Sequence, residues 1–207
     1  PDVVGGSWCP HDGHVNPLYL LRSLHNCFLT RNGQLLHDAE VFDITHEEGV
    51  FDVFSRKGQF QAPCLVLAAG LGNRKLAPLI GLKQPVRPQK GQILVTQKID
   101  KLIDVPMTLL RQTAEGSIMI GDSKEEVGFD ISSSIDTMAQ IADRARRTLP
   151  VLEKQQIIRS WAALRVMSPD GFPMYDQSES CPGGFAITCH SGVTLAAAHC
   201  FDMAADI

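Results

Sequence analysis

The sequence contains no run of basic residues, no paired CxxC and no apolar stretch long enough to cross a bilayer, and each absence removes a class of function. With no long basic run and a formal net charge of −4, nucleic acid is a poor partner. A spanning helix needs about 20 consecutive apolar residues, and no such run, nor a signal peptide, is legible. The six cysteines follow no disulfide-framework spacing, which leads us to expect a reduced, cytoplasmic protein. Cys9, His11 and His14 are close enough to suggest metal ligands, but a closed zinc site needs four and no second cluster lies nearby. A surface loop and no metal are expected there. A complete Gly-x-Gly-x-x-Gly is missing too. Its nearest match, Gly70-Leu-Gly72 after the apolar run 64–69, lacks the third glycine, which argues against an NAD(P)-binding unit.

What is present is the composition of a globular protein, 44% hydrophobic and 20% charged over 207 residues, enough for one or two domains. Asn16-Pro17 opens a helix well, an N-cap followed by a proline at the first position. Leu20, Leu21, Leu24, Cys27 and Phe28 follow at helical spacing, and Asn32-Gly33 ends it. That stripe is expected to be core packing. Residues 39–44 and 50–54 read as strands, 64–69 as a fully buried parallel strand, and 76–80 as a short helix. Stretches 87–96, 107–111 and 117–120 read as an antiparallel sheet, with an acidic, solvated loop at 122–130. Ser133-Ser-Ile-Asp136 resembles a capping box, with Ile135, Met138, Ile141, Ala142 and Ala145 forming the apolar face behind it. Arg144, Arg146 and Arg147 near that helix's end suit its dipole and read as a solvated face.

Two late stretches carry the chemistry. Ser160 to Pro173 reads as an apolar strand with one arginine, Arg165, ended by a Pro-Asp-Gly turn. Residues 185–188 read as a buried strand that breaks at Ser191-Gly192 into a last helix over 193–205. A strand entering a helix through glycine offers free backbone N–H groups and the positive end of a helix dipole, a place for an anion or an electron-rich ring. Two core strands with a packing helix would give the same pattern. A buried guanidinium needs a partner, either a neighbouring Asp or a ligand carboxylate held by its planar fork. His190 could titrate near neutral pH. A Ser191–His190 triad is not expected, because adjacent side chains rarely aim at each other and no acid is placed to orient the histidine.

Trp161-Ala-Ala-Leu-Arg165, Ser168-Pro-Asp-Gly-Phe-Pro173 and Cys189-His-Ser-Gly-Val-Thr-Leu195 together resemble the C-terminal signature of the D-amino-acid-oxidase superfamily of FAD-dependent amine oxidoreductases. Asp12-Gly-His-Val-Asn-Pro17, Val66-Leu-Ala-Ala-Gly70, Pro85-Val-Arg-Pro-Gln-Lys-Gly-Gln92 and the stretch from Ile120 to Asp130 agree, in order, across nearly the whole chain. The resemblance is strongest to the hydrogen cyanide synthase, opine oxidase and D-hydroxyproline dehydrogenase type. It implies a mixed α/β fold, part of a Rossmann-like FAD-binding domain plus an antiparallel substrate domain. The expected boundaries are 1–80 and 151–207 for the former and 81–150 for the latter. It implies a C-terminal, processed or truncated portion without the N-terminal FAD pyrophosphate unit.

The resemblance also assigns residues. Arg165 would hold a substrate carboxylate. His190 stands where some relatives have another cationic residue facing substrate. Thr188, Cys189, His190, Ser191, Gly192, Val193 and Thr194 would cover the flavin ring, Ala69 and Gly70 would pack beneath it, and Val41 would meet the adenine through its backbone unless it is an ordinary strand valine. Relatives with covalent flavin carry cysteine where Ala163 stands, so non-covalent FAD is implied. The implied reaction is oxidation of an amino acid or secondary amine, with hydride passing from Cα–H to flavin and an imino acid left for hydrolysis. The competing expectation is a non-catalytic fragment or subunit that does not bind FAD alone. Implied partners are the small amine substrate, the missing FAD-binding segment and other subunits of a heteromeric dehydrogenase, through which any membrane association would arise.

Overall fold

The computed structural model describes residues 3–205 and 207. In chain order the elements are α1 (Pro17–Thr30), β1 (Val41–Glu47), β2 (Val50–Ser55), β3 (Gly58–Ala62), β4 (Leu65–Leu67), α2 (Asn73–Leu76), β5 (Arg87–Lys98), β6 (Leu110–Gln112), β7 (Ser117–Ile120), α3 (Ile135–Thr148), β8 (Ile157–Met167), β9 (Met174–Gln177), β10 (Gly184–Thr188) and α4 (Ala196–Phe201). This is the expected mixed α/β fold with antiparallel sheets. The chain divides into two compact units, one of Pro1–Leu35 with Lys90–Leu164, the other of Leu36–Gln89 with Arg165–Ile207.

The first unit is built on a four-stranded sheet in the order β6-β7-β5-β8. Alternation along the strands sends Leu94, Leu110, Ile118 and Ile120 to one face, where they pack with Ile141 and Ala145 of α3. The cap of α3 is Ser134, whose side chain accepts from the Thr137 N–H, so the expected box of Ser133 with Asp136 does not form. The shift puts Asp136 inside the first turn, where its charge still suits the dipole. Ile135, expected on the apolar face, is exposed; coverage begins at Met138.

The acidic loop at 122–130 is not simply solvated. Lys90, only 3% exposed, turns into it from β5. Its Nζ lies 2.8 Å from Asp130 Oδ2, 3.0 Å from the Ser132 carbonyl and 3.5 Å from Glu125 Oε2. A buried ammonium is tolerated only when paired, and this loop supplies the anions. Gln92, also buried, donates to Glu125 Oε1 at 2.9 Å and accepts from the Ser134 N–H at 3.0 Å. The hydrogen bond from Lys90 holds the Asp130 carboxyl down at about 2, and the same bond raises Lys90.

Helix α1 starts as expected, with Asn16 Oδ1 accepting from the Leu18 N–H at 3.0 Å and proline at the first position. At its end the left-handed residue is Asn32, with φ 63°. Gly33 serves another purpose: a Cβ there would lie 2.5 Å from the Phe28 ring. The expectation that the α1 stripe is core packing fails. Leu21, Leu24 and Phe28 are each about half exposed, and no residue of the helix is buried. Among the hydrogen bonds of the described residues, Tyr19 supplies the helix's link to the rest of its unit, donating to Glu115 Oε1 at 3.3 Å.

The second unit pairs two three-stranded sheets, the antiparallel meander β1-β2-β3 and the mixed sheet β4-β10-β9. Ile44 and Phe51 from the first, and Leu67 and Ala186 from the second, share a core with Ala77 and Ile80. Gly184 lets this core close, since a Cβ there would stand 3.0 Å from Phe51 Cζ and 3.2 Å from Ile80 Cδ1. Strand β4 is parallel to β10, as the apolar run suggests. It is not fully buried: Leu67 points into the shared core, while Val66, on the other face, is 39% exposed. The last helix does not begin at residue 193. Residues 192–195 form turns, and α4 starts at Ala196.

Candidate functional site

The residues nominated to meet flavin or substrate, Val41, Ala69, Gly70, Arg165 and the stretch from Thr188 to Thr194, fall in the second unit, and Ala163 falls in the first. Parallel pairing from Gly184↔Leu65 to Ala186↔Leu67 sets the carboxyl ends of β4 and β10 side by side. Ala69 and Gly70 follow the first end, and the turn from Cys189 to Thr194 follows the second. In open α/β sheets ligands sit outside such strand ends. Val41 stands apart, half-buried at the start of β1 and paired with Ser55 in the other sheet.

The two ends are tied together by Asn73, a residue not singled out from the sequence. It is fully buried. Its Nδ2 lies 3.0 Å from the Leu67 carbonyl, 3.1 Å from the Ile187 carbonyl and 2.7 Å from Thr188 Oγ1. Its Oδ1 accepts from the Ala69 N–H at 3.0 Å. One amide thus satisfies backbone groups on both strands, where irregular chain would otherwise leave them unpaired. The available signal was an asparagine directly after a Gly-x-Gly turn.

Gly70 has φ +56°, a left-handed conformation, and a Cβ there would meet Val166 Cγ2 at 3.3 Å. The end of β8 therefore passes against this turn. Arg165, next in β8, is half-buried and is not without an interaction partner.

In the turn after β10, Thr188 is buried, while His190, Gly192, Val193 and Thr194 are exposed. The Leu195 N–H closes the turn on the Ser191 carbonyl at 2.9 Å. Among the described residues, the N–H groups of Gly192, Val193 and Thr194 donate no hydrogen bond. A Cβ at Gly192 would meet only Cys189 Sγ, at an ordinary 3.8 Å, so the space over this backbone is open. His190 and Ser191 do meet, contrary to the expectation for neighbours: Nδ1 and Oγ are 3.2 Å apart. Among the described residues no carboxylate orients this histidine, so the pair is no triad.

A second chain of contacts was not foreseen. Cys189 Sγ lies 3.2 Å from His199 Nε2, and His199 Nδ1 lies 2.8 Å from the Tyr175 hydroxyl. Burial pushes the Cys189 thiol up. Burial first, then the charges of Cys189 and Asp202, push the Tyr175 hydroxyl up as well. Burial thus disfavours the charged form of both groups, and the contacts tie the turn to α4 and β9. Cys189 and His199 are ten residues apart, and only the length of the turn brings them together.

A family model described as FAD dependent oxidoreductase (DAO) matches residues 1–205. An opine oxidase subunit from Agrobacterium tumefaciens is 43% identical over 207 residues, covering 100% of this chain and 56% of that protein. The hydrogen cyanide synthase subunit HcnC of Pseudomonas aeruginosa is 34% identical over 122 residues, 56% of this chain and 29% of that protein. Among solved structures, L-proline dehydrogenase from P. horikoshii superposes with a TM-score of 0.84 at 22% identity, over 95% of this chain and 58% of that one. The chain thus spans about half the length of the curated relatives it matches. Among the described residues no helix is long and apolar enough to cross a membrane.

Proposed function

The chain belongs to the FAD-dependent oxidoreductase (DAO) family, and from that premise we propose that it forms the flavin-covering and substrate-holding part of an enzyme that oxidises an amino acid or secondary amine. One observation carries the reading. The Ala69-Gly70 turn and the turn from Cys189 to Thr194 sit at adjacent carboxyl ends of parallel strands, locked by Asn73, with the N–H groups of Gly192, Val193 and Thr194 unspent and open space above Gly192. That donor set fits a flat, electron-accepting ring. Fixed backbone N–H groups favour negative charge and need no reorganisation as it develops.

When bound, FAD supplies the two-electron acceptor that side chains lack. The chain's own residues bind and orient. The Arg165 guanidinium holds the substrate carboxylate through its planar fork, fixing the amine-bearing carbon for reaction. His190, exposed beside the turn and hydrogen-bonded to Ser191, adds a donor or acceptor at the substrate side. No general base is required of the protein if the amine binds deprotonated. FAD held without a covalent bond is part of this reading, and it rests on the resemblance, which puts Ala163 where relatives with covalent flavin carry cysteine. The names of the related subunits favour further chains as partners.

The test is optical and anaerobic. The purified protein, with any partner chains it needs, should show flavin absorption that bleaches on adding a small amino acid or secondary amine. A preparation that is folded but colourless, and stays so when FAD is added, would favour the second reading, a subunit that keeps the family's packing without the cofactor.

A further inference from the structure

The turn from Cys189 to Thr194 makes few contacts of its own. Thr188, just before it, is fixed by Asn73, and Leu195, just after it, closes on the Ser191 carbonyl. Between them Gly192, Val193 and Thr194 are exposed, with N–H groups that donate no hydrogen bond among the described residues. An exposed stretch with a glycine and unspent donors gains little from itself to offset the entropy of holding one shape. A group outside the turn has to supply the hold.

His199 stands where it can. Side chains on a helix lean toward its N-terminus. His199 lies in the first turns of α4, with its N–H on the Leu195 carbonyl at 3.0 Å, so its ring reaches back over the chain that leads into the helix. Nε2 lies 3.2 Å from Cys189 Sγ, and Nδ1 lies 2.8 Å from the Tyr175 hydroxyl. The Tyr175 and His199 rings also meet edge to face, with centroids 5.5 Å apart. Tyr175 pairs with Ile187 across β9 and β10, so the outer anchor is regular sheet two residues before Cys189. Cys189 Sγ is also the atom that a Cβ at Gly192 would meet, at 3.8 Å. The sulfur that His199 contacts therefore lies against the backbone whose donors are unspent. An imidazole suits such a two-sided link: in either neutral tautomer one ring nitrogen donates and the other accepts, and a thiol and a phenol can each take the complementary part.

We propose that His199 is a positioning residue: by joining Cys189 to Tyr175 it holds the turn in the shape that presents the Gly192, Val193 and Thr194 N–H groups to a ligand. That the ligand is a flavin rests on the function proposed above; that the turn is clamped does not.

Two measurements test the two parts separately. In the purified protein as isolated, amide exchange of the segment from Cys189 to Leu195, followed by mass spectrometry, reads the clamp. His199→Ala should speed it about tenfold, the scale of one hydrogen-bonded link, and Tyr175→Phe by less. His199→Gln, whose amide also donates and accepts, should restore much of the protection. Cys189→Ala should match His199→Ala, and the double variant should add little, as for two ends of one link. In the flavin-loaded enzyme, His199→Ala should lower the reduction potential of the flavin by about 30 mV, a tenfold weaker preference for the reduced ring, and His199→Gln should return it. A merely structural role would lower the thermal midpoint and flavin content and leave the potential of the bound flavin unchanged. Should His199→Ala not fold, Tyr175→Phe and His199→Gln decide, through faster exchange in the first and near wild-type exchange in the second. Exchange unchanged in His199→Ala, no rescue by His199→Gln, a double variant equal to the sum of its singles, or an unchanged potential would each overturn the proposal. A wild type that shows the exchange pattern and takes up no flavin would keep the clamp and refute the flavin reading.

Discussion

Asn73 Nδ2 stands 2.7 Å from Thr188 Oγ1, and through this contact the carboxyl ends of two parallel strands, β4 and β10, are held as one edge. The amide is fully buried and also serves the Leu67 and Ile187 carbonyls and the Ala69 N–H. The edge carries both turns that the proposed function requires. Its precision therefore depends on a residue that needs no contact with any ligand.

Replacing that residue should be costly. Asn73→Ala strands buried backbone groups on both strand ends, and each unsatisfied group costs about 1–3 kcal/mol, so a loss of about 2–4 kcal/mol is expected. Thr188→Val removes one contact and should cost about 1 kcal/mol. Urea unfolding of the two variants measures this; equal losses would mean that Asn73 is not the staple.

Gly192→Val should affect cofactor content more than folding. Within the chain a Cβ at this position meets only Cys189 Sγ at 3.8 Å, so no clash opposes the substitution. A side chain there would, however, keep a flat ring from approaching the backbone. We expect a thermal midpoint close to wild type with reduced flavin per protein. Undiminished flavin content would remove this turn from the cofactor site.

Arg165 separates the substrate reading from a purely structural one in the flavin-loaded enzyme. Hydrogen bonds to charged groups contribute about 1.5–3 kcal/mol each, so losing the fork in Arg165→Lys, or fork and charge in Arg165→Ala, should lower kcat/KM by roughly one to three orders of magnitude. Amino acids should suffer far more than the corresponding amines without the carboxylate, and flavin content should persist. Steady-state kinetics on one such pair, with a thermal melt of each variant, decides. Equal loss on both substrates, or none on either, would rule out the carboxylate role.

Acid should loosen the loop at 122–130 in a defined window. The Asp130 carboxyl is held down at about 2 by the hydrogen bond from Lys90, whereas an unfolded Asp titrates near about 3.9. A depressed carboxylate contributes stability that is complete above the unfolded value and is lost as pH falls through the folded one. Stability should therefore drop between about pH 4 and pH 2, and Asp130→Asn should flatten that part of the profile while lowering stability at neutral pH. Thermal melts across this range read both effects. A profile unchanged by the substitution would mean that the pair is not coupled to folding.

Much of the local structure follows from the sequence itself, because it rests on short-range chemistry. Asn16 and Pro17 start α1 for reasons contained in those two residues. The apolar run around Val66 is a parallel strand, and the alternation in 87–96 and 117–120 is an antiparallel sheet. The motif at Cys189-His-Ser-Gly192 and the arginine at 165 were legible as candidate chemistry through the family resemblance, since the pattern alone fits two core strands and a packing helix.

What the sequence could not decide is what long-range packing decides. Periodicity shows that α1 has an apolar face, but whether that face is covered depends on what else packs there, and within the described residues it is left half exposed. The acidic loop reads as solvated until β5 brings a buried ammonium to it across 40 residues of sequence, turning Asp130 into the partner of Lys90. Asn73 and Thr188 are 115 residues apart, and Cys189 meets His199 only because the turn between them has the length it has. Burial, pairing and the spending of hydrogen-bond donors are properties of which residues become neighbours, and only the tertiary structure sets those.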